Sequence, residues 1–173
     1  RYVLGYNLQA YGTSSTLRLK SALNRGGTVE YIYMTNVVAD GVQNVLAADL
    51  NWNPSYSYSE LPAEYEGKEV PEHWNVMLQK VEPVEKGYPH FNHVYLANVK
   101  ATNAKQFISA SGWNDSLTLN DFTLYNLDVE AEKAGIVAHT KKFRLTDIKL
   151  KISDNSQIEF NKNSQLKKNI RYE

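Results

Sequence analysis

One pattern of apolar and polar positions keeps returning along the chain: apolar, any, apolar, any, Asn or Asp, apolar. It reads Ile32-Met34-Asn36-Val37, Val94-Leu96-Asn98-Val99, Phe122-Leu124-Asn126-Leu127 and Phe143-Leu145-Asp147-Ile148, with a looser copy at Val3-Gly5-Asn7-Leu8. The Asn/Asp positions lie 29, 62, 28 and 21 residues apart. If the long interval holds an insertion, the repeat is one of solenoid length. Alternation with period two is a strand signature, and the β-branched and aromatic residues of "VEYIYMTNVV" and "FNHVYLANVKA" favour strands over helices. After each anchor come a few polar residues and another short apolar run, as in "VQNVLAADL", "KQFISASGW" and "AGIVAHT". Each repeat is therefore expected to hold two or three short strands separated by corners, which describes one coil of a parallel β-helix. Asn tolerates left-handed backbone at a corner, and aligned corner Asn side chains can bond from coil to coil.

The competing arrangement is a β-sandwich with regularly spaced strands. Its hairpins call for Asn-Gly or Asp-Gly turns, and Asp40-Gly41 is the single such dipeptide. From Asp49 to Pro89 the repeat is broken by a segment that holds all five Pro and two of the three Trp. It is too long for a corner and too aromatic for a linker, so residues 50–90 are expected to form an ordered loop draped over the repeats.

Composition adds limits. The 173 residues are enough for one domain with a sizeable core. Lys plus Arg and Asp plus Glu balance at 19 each, so no global field recruits nucleic acid or an acidic membrane. A late basic bias, nine Lys/Arg against four Asp/Glu from Lys141 to Glu173, lacks the interleaved aromatic residues of a nucleic-acid platform. No cysteine is present, which removes disulfides and thiolate metal sites. No apolar run approaches the roughly 18 residues of a membrane span. The chain opens on "RYVLGYNL" without Met or a targeting pattern, and a piece of a longer protein is the expectation.

The candidate chemistry lies in "TLRLKSALNRGGTVEYI". Arg18 and Lys20, two apart on an expected strand, project from one face. A guanidinium fork holds a carboxylate bidentately, and an ammonium beside it adds a point charge. The bland reading is an outward strand face with ordinary charges.

The flanks of this pair carry a resemblance. Arg18-Leu19-Lys20-Ser21, Arg25-Gly26-Gly27 and Val29-Glu30-Tyr31-Ile32 resemble the Arg-Ile-Lys coil, Gly-rich corner and following strand of the pectin-degrading polygalacturonases, glycoside hydrolase family 28. "PEHWNVMLQKVEPVEKGYPHFNHVYLANVKATNAK" and "FTLYNLDVEAEKAG" are similar to segments of bacterial members. The resemblance covers essentially the whole chain, but only the C-terminal part of such an enzyme. It implies an all-β fold, a right-handed parallel β-helix of about five to six coils, as a single domain over 1–173. It further implies inverting hydrolysis of pectic galacturonides by the full-length enzyme, an acidic plant polysaccharide as partner, no cofactor, and a secreted or periplasmic location. Arg18 and Lys20 would bind the sugar carboxylate. Trp52 and Tyr56 stand where the family has a substrate-contacting Tyr, and are either sugar platforms or anchors of the long loop.

The departures matter equally. The family's Asn-Thr-Asp, Asp-Asp and Gly-His-Gly motifs are missing, and only seventeen residues precede Arg18. An inverting glycosidase needs two carboxyl groups roughly 6.5–9.5 Å apart, and none of the seven Asp residues is assignable to either role. Asp121 and Asp147 belong to corners, and Asp40 and Asp49 have no motif. The chain alone is expected not to hydrolyse polygalacturonan. The alternative is a non-catalytic carbohydrate-binding or structural β-solenoid. His73, His90, His93 and His139 show no metal-ligand spacing, and Gly26-Gly27 reads as a corner rather than a phosphate loop. A solenoid cut before its first coils exposes strand edges and core, so the N-terminal end is expected to pair with a second copy or to be covered by the long loop.

Overall fold

The computed structural model describes residues 2–57 and 59–173, apart from the Tyr56 side chain. The fold is all-β apart from short helical turns, and it is dominated by one large sheet. Its strands are β1 (Val3–Tyr11), β2 (Ser15–Lys20), β3 (Thr28–Asp40), β4 (Asn44–Asp49), β5 (His90–Ser111), β6 (Leu119–Ile152), β7 (Glu159–Ser164) and β8 (Lys167–Tyr172). Every ladder among the described residues is parallel, which excludes a sandwich of antiparallel hairpins.

The registers restate the sequence repeat. Val3 pairs with Ile32, Ile32 with Val94 and Val94 with Phe122, so the inward residue of each copy lies over that of the next. Ile32, Val94, Phe122 and Phe143 are all buried, and the last two rings stack at 5.5 Å. The columns beginning at Met34 and Val37 continue through Leu96, Leu124 and through Val99, Leu127 in the same way. Burial of these aliphatic and aromatic columns, about 25 cal/mol per Å² of apolar surface, is the main force holding the strands together.

The long strands are bent, and the bends form columns of their own. Asn7, Asn36, Asn98, Asn126 and Asp147 have φ of 55, 57, 52, 55 and 55°, the left-handed region that Asn and Asp tolerate. Their amides form a ladder along the stack. Asn36 Nδ2 donates to Asn7 Oδ1 (3.3 Å), Asn126 Nδ2 donates to Asn98 Oδ1 (2.7 Å), and Asn98 Nδ2 donates to Thr35 Oγ1 (3.0 Å). Five residues before each anchor stands a second column with positive φ: Tyr2, Tyr31, His93, Asp121 and Lys142. Tyr2 stacks on Tyr31 at 4.7 Å and Tyr31 on His93 at 4.8 Å, each with planes 9° apart. His93 Nδ1 meets Asp121 Oδ2 at 2.9 Å, and Arg144 Nη1 donates to Asp121 Oδ1 at 2.6 Å. The Arg144 hydrogen bond, helped by His93 and opposed by partial burial, holds the Asp121 carboxyl below the usual carboxylate range.

The segment between β4 and β5 is not extended. It folds as 3₁₀ turns at Pro54–Tyr56, Ala63–Tyr65 and Val84–Gly87 and one short helix, α1 (Glu72–Met77). Its ends are tied to the residues that follow β2: Trp52 N–H donates to the Ser21 carbonyl, Asn24 Nδ2 to the Ser57 carbonyl and Gly26 N–H to the Gly87 carbonyl. It does not cover β1, whose Val3 and Leu4 are 52% and 67% exposed.

Two outcomes test these columns. Asn98→Ala forces Ala into left-handed backbone and removes a rung, and is expected to cost about 1–3 kcal/mol in urea unfolding, whereas Asn98→Gly keeps the bend and should cost less. Asp121 is more acidic folded than unfolded. Its contribution is therefore present above the ordinary carboxylate value of 3.8 and lost as pH falls through the lowered one. Asp121→Asn should be the less stable protein at neutral pH, with the two melting temperatures converging in acid; a constant offset at all pH values would contradict the assignment.

Candidate functional site

Arg18 and Lys20 lie on β2, where the inward positions between and before them, Leu19 and Leu17, are buried. Alternation thus forces both cations outward onto one face. In parallel register Arg18 sits beside Ala47 and Lys20 beside Asp49 of β4, and Ala47 and Asp49 sit beside Ser109 and Ser111 of β5. The small Ala47 leaves room, and a recess of about 260 Å³ opens over this face, lined among others by Arg18, Lys20, Gln43, Asn44, Asp49 and Trp52.

Trp52 closes one side. Its indole carries the Lys20 ammonium 4.1 Å from the ring centroid and the Arg18 guanidinium at 5.3 Å. Such contacts contribute about 0.5–2 kcal/mol each and hold two long side chains in a fixed place. Trp52 therefore both anchors the loop, through its backbone bond to Ser21, and touches the candidate cations. The Tyr56 side chain, also expected near the site, lies outside the described residues.

Neither Arg18 nor Lys20 forms an ion pair among the described residues. The one carboxylate lining the recess among the described residues, Asp49, accepts from the Asn51 backbone N–H at 2.7 Å. The site is a pair of cations and one backbone-bonded carboxylate, beside an aromatic wall and uncharged hydrogen-bonding groups.

No family model, no curated protein and no solved structure matches this chain.

The remaining candidates are drawn elsewhere. Asp40 accepts from Thr102 Oγ1 and Asn103 Nδ2, both at 2.7 Å, and these bonds hold its carboxyl below the usual range; it serves the next bend. Asn126-Leu127-Asp128 is an Asn-x-Asp, but Leu127 is core and the Asn126 amide is a rung of the ladder. His93 belongs to the ring stack and His139 bonds Asp115 at 2.9 Å. Gln43, Asn44 and Ser109 of the recess carry no sequence signal, because only strand register brings them to β2. A separate cavity of about 630 Å³ is lined by the loop's Lys80, Val84 and Tyr88 together with Asn24, His90 and Trp113.

A second tie, from Gly26 N–H to the Gly87 carbonyl, clasps the far end of the loop to the corner after β2. Gly26 has φ +61°, and a Cβ there would lie 2.4 Å from the Lys86 carbonyl oxygen. Gly26→Ala is expected to lower stability by on the order of 1–3 kcal/mol. Quenching of tryptophan fluorescence should also become easier if the loop loosens, and unchanged stability and quenching would refute the clasp.

Proposed function

We propose that this chain binds acidic sugar residues in the Arg18/Lys20 recess, as the C-terminal part of a polygalacturonase-like glycoside hydrolase of family 28. In this reading the parallel strands with their recurring bends are coils of a right-handed parallel β-helix, 50–90 is its inserted loop, and the protein works outside the cytoplasm, where pectic polysaccharide is met. The observation that carries the proposal is the pairing of two cations, free of any ion pair among the described residues, against one indole.

The chemistry follows from that arrangement. A galacturonate carboxylate accepts two bonds from the Arg18 guanidinium and a third from the Lys20 ammonium. The edge of Trp52 and the short Ala47 offer apolar surface to sugar C–H groups, and Gln43, Asn44 and Ser109 offer partners for hydroxyls. Because Trp52 keeps both cations parked in place, little side-chain freedom is lost when the anion arrives.

Hydrolysis is not part of the proposal for this chain alone. Inversion at a glycosidic carbon needs an acid and a base roughly 6.5–9.5 Å apart, and among the described residues Asp49 is the only carboxylate lining the recess. This favours the second reading, a carbohydrate-binding element without catalysis, as the behaviour of the isolated chain.

Calorimetric titration with oligogalacturonate should give saturable binding, with no binding of the neutral galactose oligomer. Arg18→Ala with Lys20→Ala should weaken it by tenfold or more, the effect of losing charge-assisted bonds of about 1.5–3 kcal/mol. Equal affinity for acidic and neutral oligomers, or indifference to the double substitution, would sink the carboxylate assignment. Release of reducing ends from polygalacturonate by the purified chain would overturn the view that it binds without cleaving.

A further inference from the structure

The loop between β4 and β5 walls two cavities, one with each of its ends. Its start gives Trp52 to the recess. Its last turns line the second cavity, whose volume of about 630 Å³ lies within the roughly 300–1,000 Å³ of small-molecule sites. Strand register places this space. Lys20 pairs with Asp49 and Asp49 with Ser111, so the chain leaves β2, β4 and β5 at matched positions. The first and third connections are short, 21–27 and 112–118, and the middle one is the loop. All three line the cavity: Leu23 and Asn24 from the first, Val84 and Tyr88 from the second, Trp113 and Leu117 from the third.

The third connection is rigid and presents an indole. Gly112 N–H donates to the Ala138 carbonyl at 3.0 Å, and the His139 carbonyl leaves no room for a Cβ on Gly112. Trp113 N–H donates to the Leu117 carbonyl at 2.8 Å, and Asn114 Oδ1 accepts from the Ser116 and Leu117 N–H groups at 2.9 Å each. On this fixed backbone Trp113 is 46% exposed and stacks on no ring among the described residues. A large ring held in water beside a cavity is the mark of a binding surface.

The lining selects what fits. Four aliphatic side chains, Leu23, Val81, Val84 and Leu117, stand with the rings of Tyr88 and Trp113. Uncharged polar capacity is scarce, because Asn24 Nδ2 is committed to the Ser57 carbonyl and Asn114 Oδ1 to its own turn. Asn114 Nδ2, the Ser116 hydroxyl and the His90 ring have no hydrogen-bond partner among the described residues. Lys80 and Glu82 are opposite in sign, so neither charge of ligand is favoured. A sugar ring carries hydroxyls all round its rim, and the aliphatic side chains would leave several of them unpaired. A flat ring with one polar group has no such cost. We propose that this cavity binds a small uncharged phenol, its ring against Trp113 and its hydroxyl served by the cluster of Asn114, Ser116 and His90. The site shares no lining residue with the Arg18/Lys20 recess and does not depend on the sugar-binding reading.

The probe is para-cresol, titrated calorimetrically into the whole chain. Saturable binding at one site is expected. Cyclohexanol, which lacks the flat ring, and para-methylanisole, which lacks the hydroxyl donor, should each bind at least about threefold more weakly. Trp113→Ala should weaken para-cresol about tenfold or more, and Val84→Trp, made at an exposed position of the lining, should block the cavity. Arg18→Ala with Lys20→Ala should leave the affinity unchanged, as should saturating oligogalacturonate. No saturable binding, equal affinity for cyclohexanol, or indifference to both Trp113→Ala and Val84→Trp would overturn the proposal. Displacement of para-cresol by oligogalacturonate would overturn it too, by merging the cavity with the recess.

Discussion

The structure depends on a backbone constraint: in each repeat, at the same places, the chain must enter left-handed conformation near φ +55°. A period-two strand points alternate residues inward only until it turns. A left-handed residue at a fixed offset turns it without losing the inward set. Val37 therefore follows Asn36 into the core as Val99 follows Asn98 and Leu127 follows Asn126. Move the bend by one residue in a single copy and Leu96 or Leu124 would no longer lie over its neighbour. The columns of buried Ile, Leu, Val and Phe are consequences of this timing.

Much of this was legible in the residues, for physical reasons. Asn and Asp are among the few side chains that take positive φ at low cost, so the first column of bends announces itself at Asn36, Asn98 and Asn126. The second column was hidden, because Tyr31, His93 and Lys142 are not bend formers. The ring stack over Tyr31 and His93 offsets what left-handed backbone costs a bulky residue. That compensation exists only once the copies are stacked, so no window of sequence contains it. The same holds for Asp121, read as a corner residue: the corner was visible, the Arg144 partner 23 residues on was not.

At the candidate site, the outward pairing of Arg18 and Lys20 followed from spacing two on a strand. The place of Trp52 did not, since both a loop anchor and a sugar platform are consistent with a Trp near the start of an inserted loop. The structure shows the anchor, a bond from Trp52 N–H to the Ser21 carbonyl, together with an indole beside the two cations. The loop was expected as ordered, but its short helical turns were not read, and α1, over Glu72–Met77, is too short to carry a periodic signal.

Among the described residues β2, which carries Arg18 and Lys20, pairs with β4 as β1 pairs with β3, so both belong to one copy of the repeat. Among the described residues the recess holds one carboxylate, Asp49, and inverting cleavage of a glycosidic bond requires two. The alternation that turns Arg18 and Lys20 outward turns Leu17 and Leu19 into the core, so the pair cannot be shifted by one residue without burying both charges.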